Sequence, residues 1–467
     1  MTEPRPIKVT SKVRRDALEG RRGNASERLD ILRRPNPKTI HLQADDPNLT
    51  GVAGLVAFGV WVRAQGIDAE ITKNFGGMKV GPWVRYGMAQ QIRMILDAHV
   101  AGVGRVFGLE ALAGDPLFVR LAGGCISSID TVYDDLRRFD VNELALLDAM
   151  VSEQALADLR KKPPKELHLD LDTTVEVVFG TQMEGAVPGS NPRYHGRPSY
   201  HPILMTVAET GALVGVQLRR GDTSMGDDDA DVLRTWIQRV REAVGPACKV
   251  FVRIDAAGDC TTLLRTIQDA KCYFVIKAKL DEGMQKAIVG VSKWDSVDYD
   301  DKRHPIRQTV EMDYQRGVWK DAKIQVRFVV VRERDQLHQR GRSLWDDLDW
   351  TCQGYLTNYP VEAEDADEIA RRYQGRAEIE PTIAELKNAW GFGQFSTNGF
   401  DANHAMLLLK ALAYNLFSRY VASRHPEFAK WRSPWQRIVL VRVPGRLVTR
   451  GRRIFLHVPP HARRMLN

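Results

Sequence analysis

The chain alternates leucine with polar residues in one short segment, Leu-His-Leu-Asp-Leu-Asp at residues 167–172. Successive side chains of a β-strand point to opposite faces, so this segment is predicted to be a strand with an apolar face and an acidic face. Carboxylates such as Asp170 and Asp172, on one side of an otherwise apolar strand, repel each other and resist burial. A divalent cation or solvent would relieve that repulsion, so the acidic face is a candidate metal site.

The segments that follow predict a mixed α/β fold. Short apolar runs bounded by glycine or proline indicate strands, and amphipathic runs indicate helices. The predicted order is a strand over residues 167–179, strands over 203–207 and 213–218, a helix over 228–244, a strand over 249–255, a helix over 260–270 and a strand over 273–277. A three-stranded meander followed by alternating helices and strands is typical of a ribonuclease-H-like α/β fold.

Prolines and changes in composition divide the chain into further segments. Pro163 and Pro164 end a helical region, because proline cannot continue a helix. The predicted segments are a basic, mobile arm (1–48), a helical region (49–160), the first part of the ribonuclease-H-like core (165–280), a β-rich insertion (281–362), the remainder of that core with C-terminal helices (363–425) and a basic C-terminal region (426–467).

Composition favours a polyanionic partner without specifying one. The 467 residues carry a net charge of +8 and a pI of about 9.2. The five cysteines form no Cys-x-x-Cys pair and lack a histidine at zinc-ligand spacing, so neither structural zinc nor a disulfide framework is expected. Apolar runs are too short for a signal peptide or a membrane span, so we expect a cytoplasmic protein without a membrane partner.

The C-terminal region is strongly basic. It has ten lysines and arginines, Lys430 to Arg464, and no acidic residue after Glu427. Such a stretch is either a contact surface for a polyanion or a solvated tail, and the sequence favours neither.

A second acidic residue ends another predicted strand. The segment Val-Phe-Val-Arg-Ile-Asp at residues 250–255 places Asp255 at a carboxyl end, where ligand sites of parallel sheets are common. Each of these aspartates, taken alone, could instead be a solvated strand-end residue or a helix cap. Alternation cannot choose between Asp170 and Asp172, since they share a face.

A third carboxylate lies on a helix with a charged stripe. Tyr373, Arg376, Glu380 and Lys387 follow one another at steps of three, four and seven residues, which places them on one helix face. The mixture suits a site that holds both metal and phosphate, although a solvated surface with an Arg–Glu pair would show the same pattern. Pro381 directly follows Glu380, so the helix either restarts near Glu380 or is kinked there.

These residues resemble a known family, the DDE transposases of bacterial insertion sequences. The stripe is similar to the Tyr-Arg-Glu-Lys signature of one branch, the insertion sequence 1380-like group of the insertion sequence 4 superfamily. Further likeness covers Asp-Thr-Thr at 172–174, Gly-Arg-Pro-Ser-Tyr-His-Pro at 196–202, Val-Arg-Ile-Asp at 252–255, Phe-Asp-Ala-Asn at 400–403 and Leu-Ala-Tyr-Asn-Leu at 412–416. The resemblance selects Asp172 over Asp170 as the first catalytic aspartate, and an inserted β subdomain is typical of this branch.

The resemblance implies a metal-dependent DNA transposase. Its catalytic residues would be Asp172, Asp255 and Glu380, which would also bind Mg²⁺, with Mn²⁺ as a substitute. The residues implied to contact DNA are Tyr373, Arg376, Lys387 and Arg197. The resemblance implies cut-and-paste transposition of an element with terminal inverted repeats into double-stranded target DNA.

The same resemblance implies binding partners and leaves two alternative functions open. The helical region 49–160 would bind DNA or dimerise, because two transposon ends require at least a homodimer, and the protein would work at the nucleoid of a bacterial cytoplasm. The alternatives are a ribonuclease-H-like structure-specific DNA nuclease and a catalytically inactive, transposase-derived DNA-binding protein.

Overall fold

The structure is a computed structural model that describes residues 41–180, 182–189, 194–301, 303–334 and 350–463. Most of the predicted arm, residues 1–40, and residues 335–349 of the predicted β-rich insertion lie outside the described residues. The described chain divides into two compact units, one of residues 41–132 and 417–463 and the other of residues 133–416. We call them the terminal unit and the central unit.

Helices dominate the terminal unit and flank the central one. The α-helices of the described residues are α1 (Leu55–Ala64), α2 (Ile67–Phe75), α3 (Met88–Val100), α4 (Leu109–Ala113), α5 (Pro116–Leu121), α6 (Ile129–Leu136), α7 (Val141–Lys161), α8 (Ala230–Val244), α9 (Thr261–Asp269), α10 (Glu282–Val289), α11 (Gly317–Asp321), α12 (Ala366–Gln374), α13 (Ile379–Trp390), α14 (Phe400–Arg424) and α15 (Ser433–Leu440).

The strands form one large sheet and two small ones. They are β1 (Leu49–Thr50), β2 (Glu166–Thr173), β3 (Glu176–Val177), β4 (Val187–Pro188), β5 (Pro198–Tyr200), β6 (Ile203–Val207), β7 (Leu213–Gln217), β8 (Lys249–Ile254), β9 (Tyr273–Lys277), β10 (Asp295–Tyr299), β11 (Pro305–Met312), β12 (Arg327–Arg334), β13 (Trp350–Thr357), β14 (Gly445–Arg450) and β15 (Arg453–His457). The sheet orders are β10-β11-β12-β13-β9-β8-β2-β6-β7, β1-β14-β15 and β3-β5-β4.

The nine-stranded sheet has mixed pairing. Strand β8 runs parallel to both of its neighbours, β2 and β9, and the other pairs are antiparallel. The predicted meander is confirmed as β2, β6 and β7, and the predicted helix–strand alternation is confirmed as α8, β8, α9 and β9. This is a mixed α/β fold.

The structure also differs from the sequence-based prediction in three places. The strand predicted over residues 167–179 ends at Thr173, and the chain then enters the small sheet through β3. Strands β10 to β13, which lie in the predicted β-rich insertion, continue the large sheet beyond β9, a pairing that the sequence did not predict. Helix α7, which ends just before the tandem prolines, belongs to the central unit, where Ala155 and Leu156 join its core.

The two faces of the large sheet bury different residues. The leucines of β2, Leu167, Leu169 and Leu171, are fully buried in the main core with residues of α7, α8 and α9. On the opposite face, Phe251 of β8 and Tyr355 of β13 form a second core with Ile369 of α12. Because α12 packs on the acidic face of β2, the residues that follow α12 are brought to the end of that strand.

Helix α14 is fastened to β7, the terminal strand of the large sheet. The buried Asn415 accepts a hydrogen bond from the Leu213 N–H at 2.9 Å and donates to the carbonyls of Leu213 (2.8 Å) and Val151 (3.0 Å). The ring of His404 is bonded to the backbone of Val216, while its Nε2 has no hydrogen-bond partner. These contacts cover backbone groups that an edge strand would otherwise expose.

The partly buried His404 makes a specific acid sensitivity expected. Burial lowers the pKa of its imidazole to about 4, whereas an unfolded histidine has a pKa of about 6.5. The unfolded chain therefore binds a proton first as the pH falls, and stability present above pH 6.5 is lost towards pH 4. We expect this group to lower the free energy of unfolding by about 3 kcal/mol over that range.

Urea unfolding at pH 7 and pH 4.5 measures this loss. A His404→Gln variant keeps a donor for Val216 but cannot be protonated, so its pH dependence should be shallower than that of the parent. The exposed His304 gives a matched control, since His304→Gln should leave the dependence unchanged. Equal slopes for the parent and His404→Gln would refute the prediction.

In the terminal unit, part of the basic C-terminal region is internal. Arg437 is 4% exposed and donates to the carbonyls of Val100 at 3.1 Å and His99 at 2.9 Å. Arg442 donates to the carbonyl of Ala101 at 3.1 Å. These cations satisfy the last carbonyls of α3 and interact favourably with the negative end of its dipole, so neither alternative, a contact surface or a solvated tail, holds for Arg437.

None of the helices in the described part of the chain is long and apolar enough to cross a membrane.

Candidate active site at the carboxyl ends of β2 and β8

Asp172 lies near the end of β2 and is mostly buried. Its Oδ1 accepts a hydrogen bond from the Thr173 N–H at 2.8 Å, and its Oδ2 lies 2.9 Å from Nη2 of Arg376. Burial raises the pKa of the Asp172 carboxyl; Arg376 opposes that rise, and the negative charges of Asp255 and Glu380 add to it. Asp172 therefore lies within electrostatic reach of both of the other predicted catalytic carboxylates.

Asp255 directly follows β8 and is rigidly held. The parallel register pairs Leu171 with Ile254, so the next residue of each strand, Asp172 and Asp255, reaches the same edge of the sheet. Asp255 caps a short 3₁₀ turn, Ala256–Gly258, and its Oδ1 accepts from the Ala257 N–H at 2.9 Å. Asp255 therefore also fills the alternative role of a helix cap.

The helix that carries the predicted catalytic glutamate restarts just before Glu380. Helix α12 ends at Gln374, a 3₁₀ turn spans Gly375–Glu378, and α13 begins at Ile379. Pro381 thus falls in the first turn of α13, where a backbone N–H has no intrahelical acceptor and a proline is tolerated. Of the two alternatives the restart is correct. Glu380 is exposed.

Two residues of the predicted stripe, Tyr373 and Arg376, lie beside the carboxylates. Arg376 is only 9% exposed, and its guanidinium lies close enough to Tyr373 to influence the hydroxyl of that residue. The Tyr373 ring packs against Tyr355 with centroids 4.9 Å apart, and burial raises the pKa of its hydroxyl. This aromatic support fixes the arginine close to Asp172.

The other two predicted DNA contacts are held elsewhere. Nζ of Lys387 lies 3.0 Å from Oε1 of the buried Glu176 and donates to the Val175 carbonyl at 3.1 Å. Arg197 is exposed and lies over the rings of Phe179 and Tyr194, at 5.4 and 6.0 Å. The structure therefore groups Tyr373 and Arg376 with the acids, while Lys387 and Arg197 contact the segments that follow β2.

Asp170 has a structural partner that the sequence analysis missed. Arg253 of β8 lies opposite Asp170 in the parallel register and donates to both of its oxygens, from Nε at 2.6 Å and from Nη2 at 2.8 Å. Both residues are buried. The alternation of both strands places them on one face, so their opposite charges were a usable signal.

The same arginine anchors the break between α12 and α13. Arg253 Nη1 donates to the Arg372 carbonyl at 2.9 Å, and a Cβ on Gly375 would lie 2.5 Å from that nitrogen. A larger residue at 375 would therefore have to displace the Arg253 guanidinium. The Asp170–Arg253 pair positions the turn that presents Arg376 and Glu380.

Two motifs that are distant in sequence meet beside β5. The Tyr200 hydroxyl donates to the Glu184 carbonyl at 2.7 Å and accepts from Nδ2 of Asn403 at 3.3 Å. The rings of Tyr200 and Phe400 pack edge to face with centroids 5.9 Å apart. The segments at 196–202 and 400–403 are thus one packing unit that holds the small sheet against α14.

The carboxylates have the donor chemistry of a magnesium site. Their oxygens are the ligands that Mg²⁺ and Mn²⁺ prefer, and a divalent cation would relieve the repulsion that Asp172 receives from Asp255 and Glu380. Among the residues that the structure describes, no three histidine, cysteine, aspartate or glutamate side chains stand in position to hold a metal ion. The carboxylate oxygens are thus of the right chemical type for Mg²⁺, and Arg376 lies against the first of these residues, Asp172.

Comparisons with known proteins bear on this site. The family model described as Transposase DDE domain group 1 matches residues 33–464. No curated protein matches the sequence. Among solved structures, the chain is similar to the piggyBac transposase in a cryo-EM synaptic complex with hairpin DNA, with a TM-score of 0.44, 12% identity, and coverage of 85% of this chain and 79% of that chain.

Proposed function

Since the chain belongs to the DDE transposase family, whose domain matches nearly its whole length, we propose that it cleaves DNA at the ends of a mobile element and joins those ends to target DNA. The route proposed is cut-and-paste transposition. The finer family assignment proposed is the insertion sequence 1380-like group, on the strength of the Tyr-Arg-Glu-Lys signature, and the core proposed is ribonuclease-H-like.

One observation carries the proposal. The carboxylate of Asp172 lies within electrostatic reach of those of Asp255, at the carboxyl end of the parallel strand β8, and of Glu380, in the first turn of α13, with Arg376 as its cation. A largely buried carboxylate that two further carboxylates repel is costly, so a role in binding cations explains this arrangement better than a role in packing.

We assign metal binding to Asp172, Asp255 and Glu380. Bound Mg²⁺, or Mn²⁺ in its place, would activate a water or a DNA 3′-hydroxyl and stabilise the leaving oxygen at phosphorus. The chain contributes the placement of the ligands. Thr173 and Ala257 orient Asp172 and Asp255 through backbone N–H groups, and the first turn of α13 presents Glu380.

The cations around the acids are proposed to orient DNA. Arg376 can give two parallel N–H donors to a phosphate, and Tyr373 supports its guanidinium. Lys387, whose side chain is 33% exposed and anchored by Glu176, would offer its remaining N–H groups to the backbone phosphates. Arg197 is the outermost of these proposed contacts.

The proposed partners are two transposon ends and a target duplex. Binding two ends together requires at least a dimer of this chain, and the helical region 49–160 is proposed to contribute DNA binding or dimerisation. The proposed setting is the nucleoid of a bacterial cytoplasm.

An end-cleavage reaction tests the function. The full chain is incubated with Mg²⁺, target plasmid and a linear duplex carrying the inverted repeat that flanks its reading frame, and the products are resolved on denaturing gels. We expect cleavage at the repeat boundary and covalent end-to-target products, both abolished by chelation.

Other product patterns would indicate the rival functions. Cleavage without any joined product would identify a structure-specific nuclease. End binding without cleavage in Mg²⁺ or Mn²⁺, unaffected by Glu380→Gln, would identify an inactive DNA-binding protein.

A further inference from the structure

The guanidinium of Arg376 occupies the position nearest the first catalytic carboxylate. It is more than nine-tenths buried, and Nη2 lies 2.9 Å from Oδ2 of Asp172. Asp170, its neighbour on the same strand face, is already neutralised by two hydrogen bonds from Arg253. Arg376 is thus the counter-ion of Asp172 in the chain by itself.

Arg376 and Asp172 attract each other electrostatically, but they form no hydrogen bond with each other. Despite the short distance to Asp172, Nε and Nη2 of Arg376 are buried without a hydrogen-bond partner, because the two groups are not aligned for one. Buried guanidinium N–H groups without acceptors are costly. An anion with several oxygens on a tetrahedral centre would supply the missing acceptors, and a DNA phosphate has that chemistry.

Asp172, the carboxylate of this contact, is in turn stabilised by a cation. Asp172 is repelled by the negative charges of Asp255 and Glu380, and the cation that lies against it is Arg376. If the arginine moved to another anion, the three carboxylates would lack a cation and would favour a divalent one.

We propose that Arg376 is an exchangeable counter-ion that couples DNA binding to metal binding. In the free chain it neutralises Asp172 and weakens the affinity for a divalent cation. A phosphate of bound DNA takes over the guanidinium and frees Asp172 for the metal. This coupling rests on the proposed function, because it requires that the acids bind metal and that the chain binds DNA.

Thermodynamic linkage makes the coupling reciprocal. If DNA raises the affinity for the metal by some factor, the metal raises the affinity for DNA by the same factor. Couplings of this kind are commonly between about 5-fold and about 150-fold, and we expect about tenfold or more for Mn²⁺. A free enzyme that holds little metal would also be protected from untimely cleavage.

Mn²⁺ binding to the full chain tests the proposal, with electron paramagnetic resonance of free Mn²⁺ as a readout that does not depend on activity. The parent and Arg376→Gln are titrated without DNA, and the parent is titrated again with a short linear duplex after correction for Mn²⁺ bound by the duplex alone. Arg371→Gln is the matched control, because Arg371 lies on α12, just before the turn that holds Arg376, but is largely exposed and paired with Asp367. Arg376→Lys keeps the charge.

The expected result is a gain of about tenfold or more in Mn²⁺ affinity for Arg376→Gln, a similar gain for the parent with duplex, and none for Arg371→Gln or Arg376→Lys. Equal Mn²⁺ affinity in folded Arg376→Gln and parent overturns the proposal. Should Arg376→Gln not fold, a parent affinity that is the same with and without duplex overturns it instead.

A double variant separates this inference from the function beneath it. Asp172→Asn combined with Arg376→Gln should lose the gained Mn²⁺ site. Retention of the site in the double variant would show that Mn²⁺ binds elsewhere and would refute the assignment of the acids themselves. If Arg376→Gln and the parent bind Mn²⁺ equally well, and the double variant loses Mn²⁺ binding, only the counter-ion role of Arg376 is refuted.

Discussion

Replacing Asp172 with asparagine is expected to lower the rates of DNA cleavage and joining by about a thousandfold or more, which corresponds to roughly 4 kcal/mol of transition-state stabilisation. The amide is neutral and offers one oxygen where the carboxylate offers two, so it cannot serve as a ligand of Mg²⁺ in the same way. The Thr173 N–H retains an oxygen acceptor, so the local backbone should be kept.

The fold should survive this change. Asparagine loses the ion pair with Arg376 but also removes a buried charge that Asp255 and Glu380 repel, and these effects oppose each other. We expect the free energy of unfolding to stay within about 1 kcal/mol of the parent value. Glu380→Gln, at an exposed position, should behave in the same way.

Single-turnover cleavage of end DNA and urea unfolding, measured on the same preparations, check both parts. Asp222→Asn is the control, because Asp222 is an exposed aspartate paired with Arg220 and should retain full activity. Cleavage by Asp172→Asn at a rate near that of the parent would remove Asp172 from the catalytic set.

The sequence predicted the elements of the central unit better than their partners. Periodicity is a local property, so β2, β6, β7, β8 and β9 were predicted in order and type. It does not report which strand neighbours which, so the pairing of β13 with β9, and hence a single nine-stranded sheet, could not be predicted.

For the site, the limit of prediction is the same. Asp170 and Asp172 lie on the same face of β2, so periodicity cannot distinguish them. Only the parallel register of β2 with β8, which is far away in sequence, pairs Asp170 with Arg253. Pro381 indicated a break in the helix. Its resolution as a 3₁₀ turn depends on the contact of Arg253 with the end of α12.

Asp170→Asn should therefore have the opposite phenotype to Asp172→Asn. Asp170 is fully buried and Arg253 is 5% exposed, so removing the carboxylate leaves a guanidinium buried without its counter-ion. Breaking a buried pair on one side typically costs about 3–5 kcal/mol. We expect a loss of that size in the free energy of unfolding, seen as a lower urea midpoint.

The loss should extend to the site through the turn between α12 and α13. Arg253 holds the Arg372 carbonyl and approaches Gly375 closely, so a guanidinium that shifts to find a new acceptor displaces the turn that presents Arg376 and Glu380. Residual folded protein should cleave DNA more slowly than the parent, yet far faster than Asp172→Asn, because the three carboxylates proposed to be catalytic are intact.

A compensating variant distinguishes charge from shape. Replacing both partners, as Asp170→Leu with Arg253→Met, removes the orphaned charge, and buried pairs exchanged for apolar residues of similar size are often as stable as the original. The double variant should recover most of the unfolding free energy lost by Asp170→Asn. It should not recover the position of the turn, because methionine cannot donate to the Arg372 carbonyl. A stable Asp170→Asn variant without cleavage activity would instead mean that Asp170, and not Asp172, is the catalytic aspartate of β2.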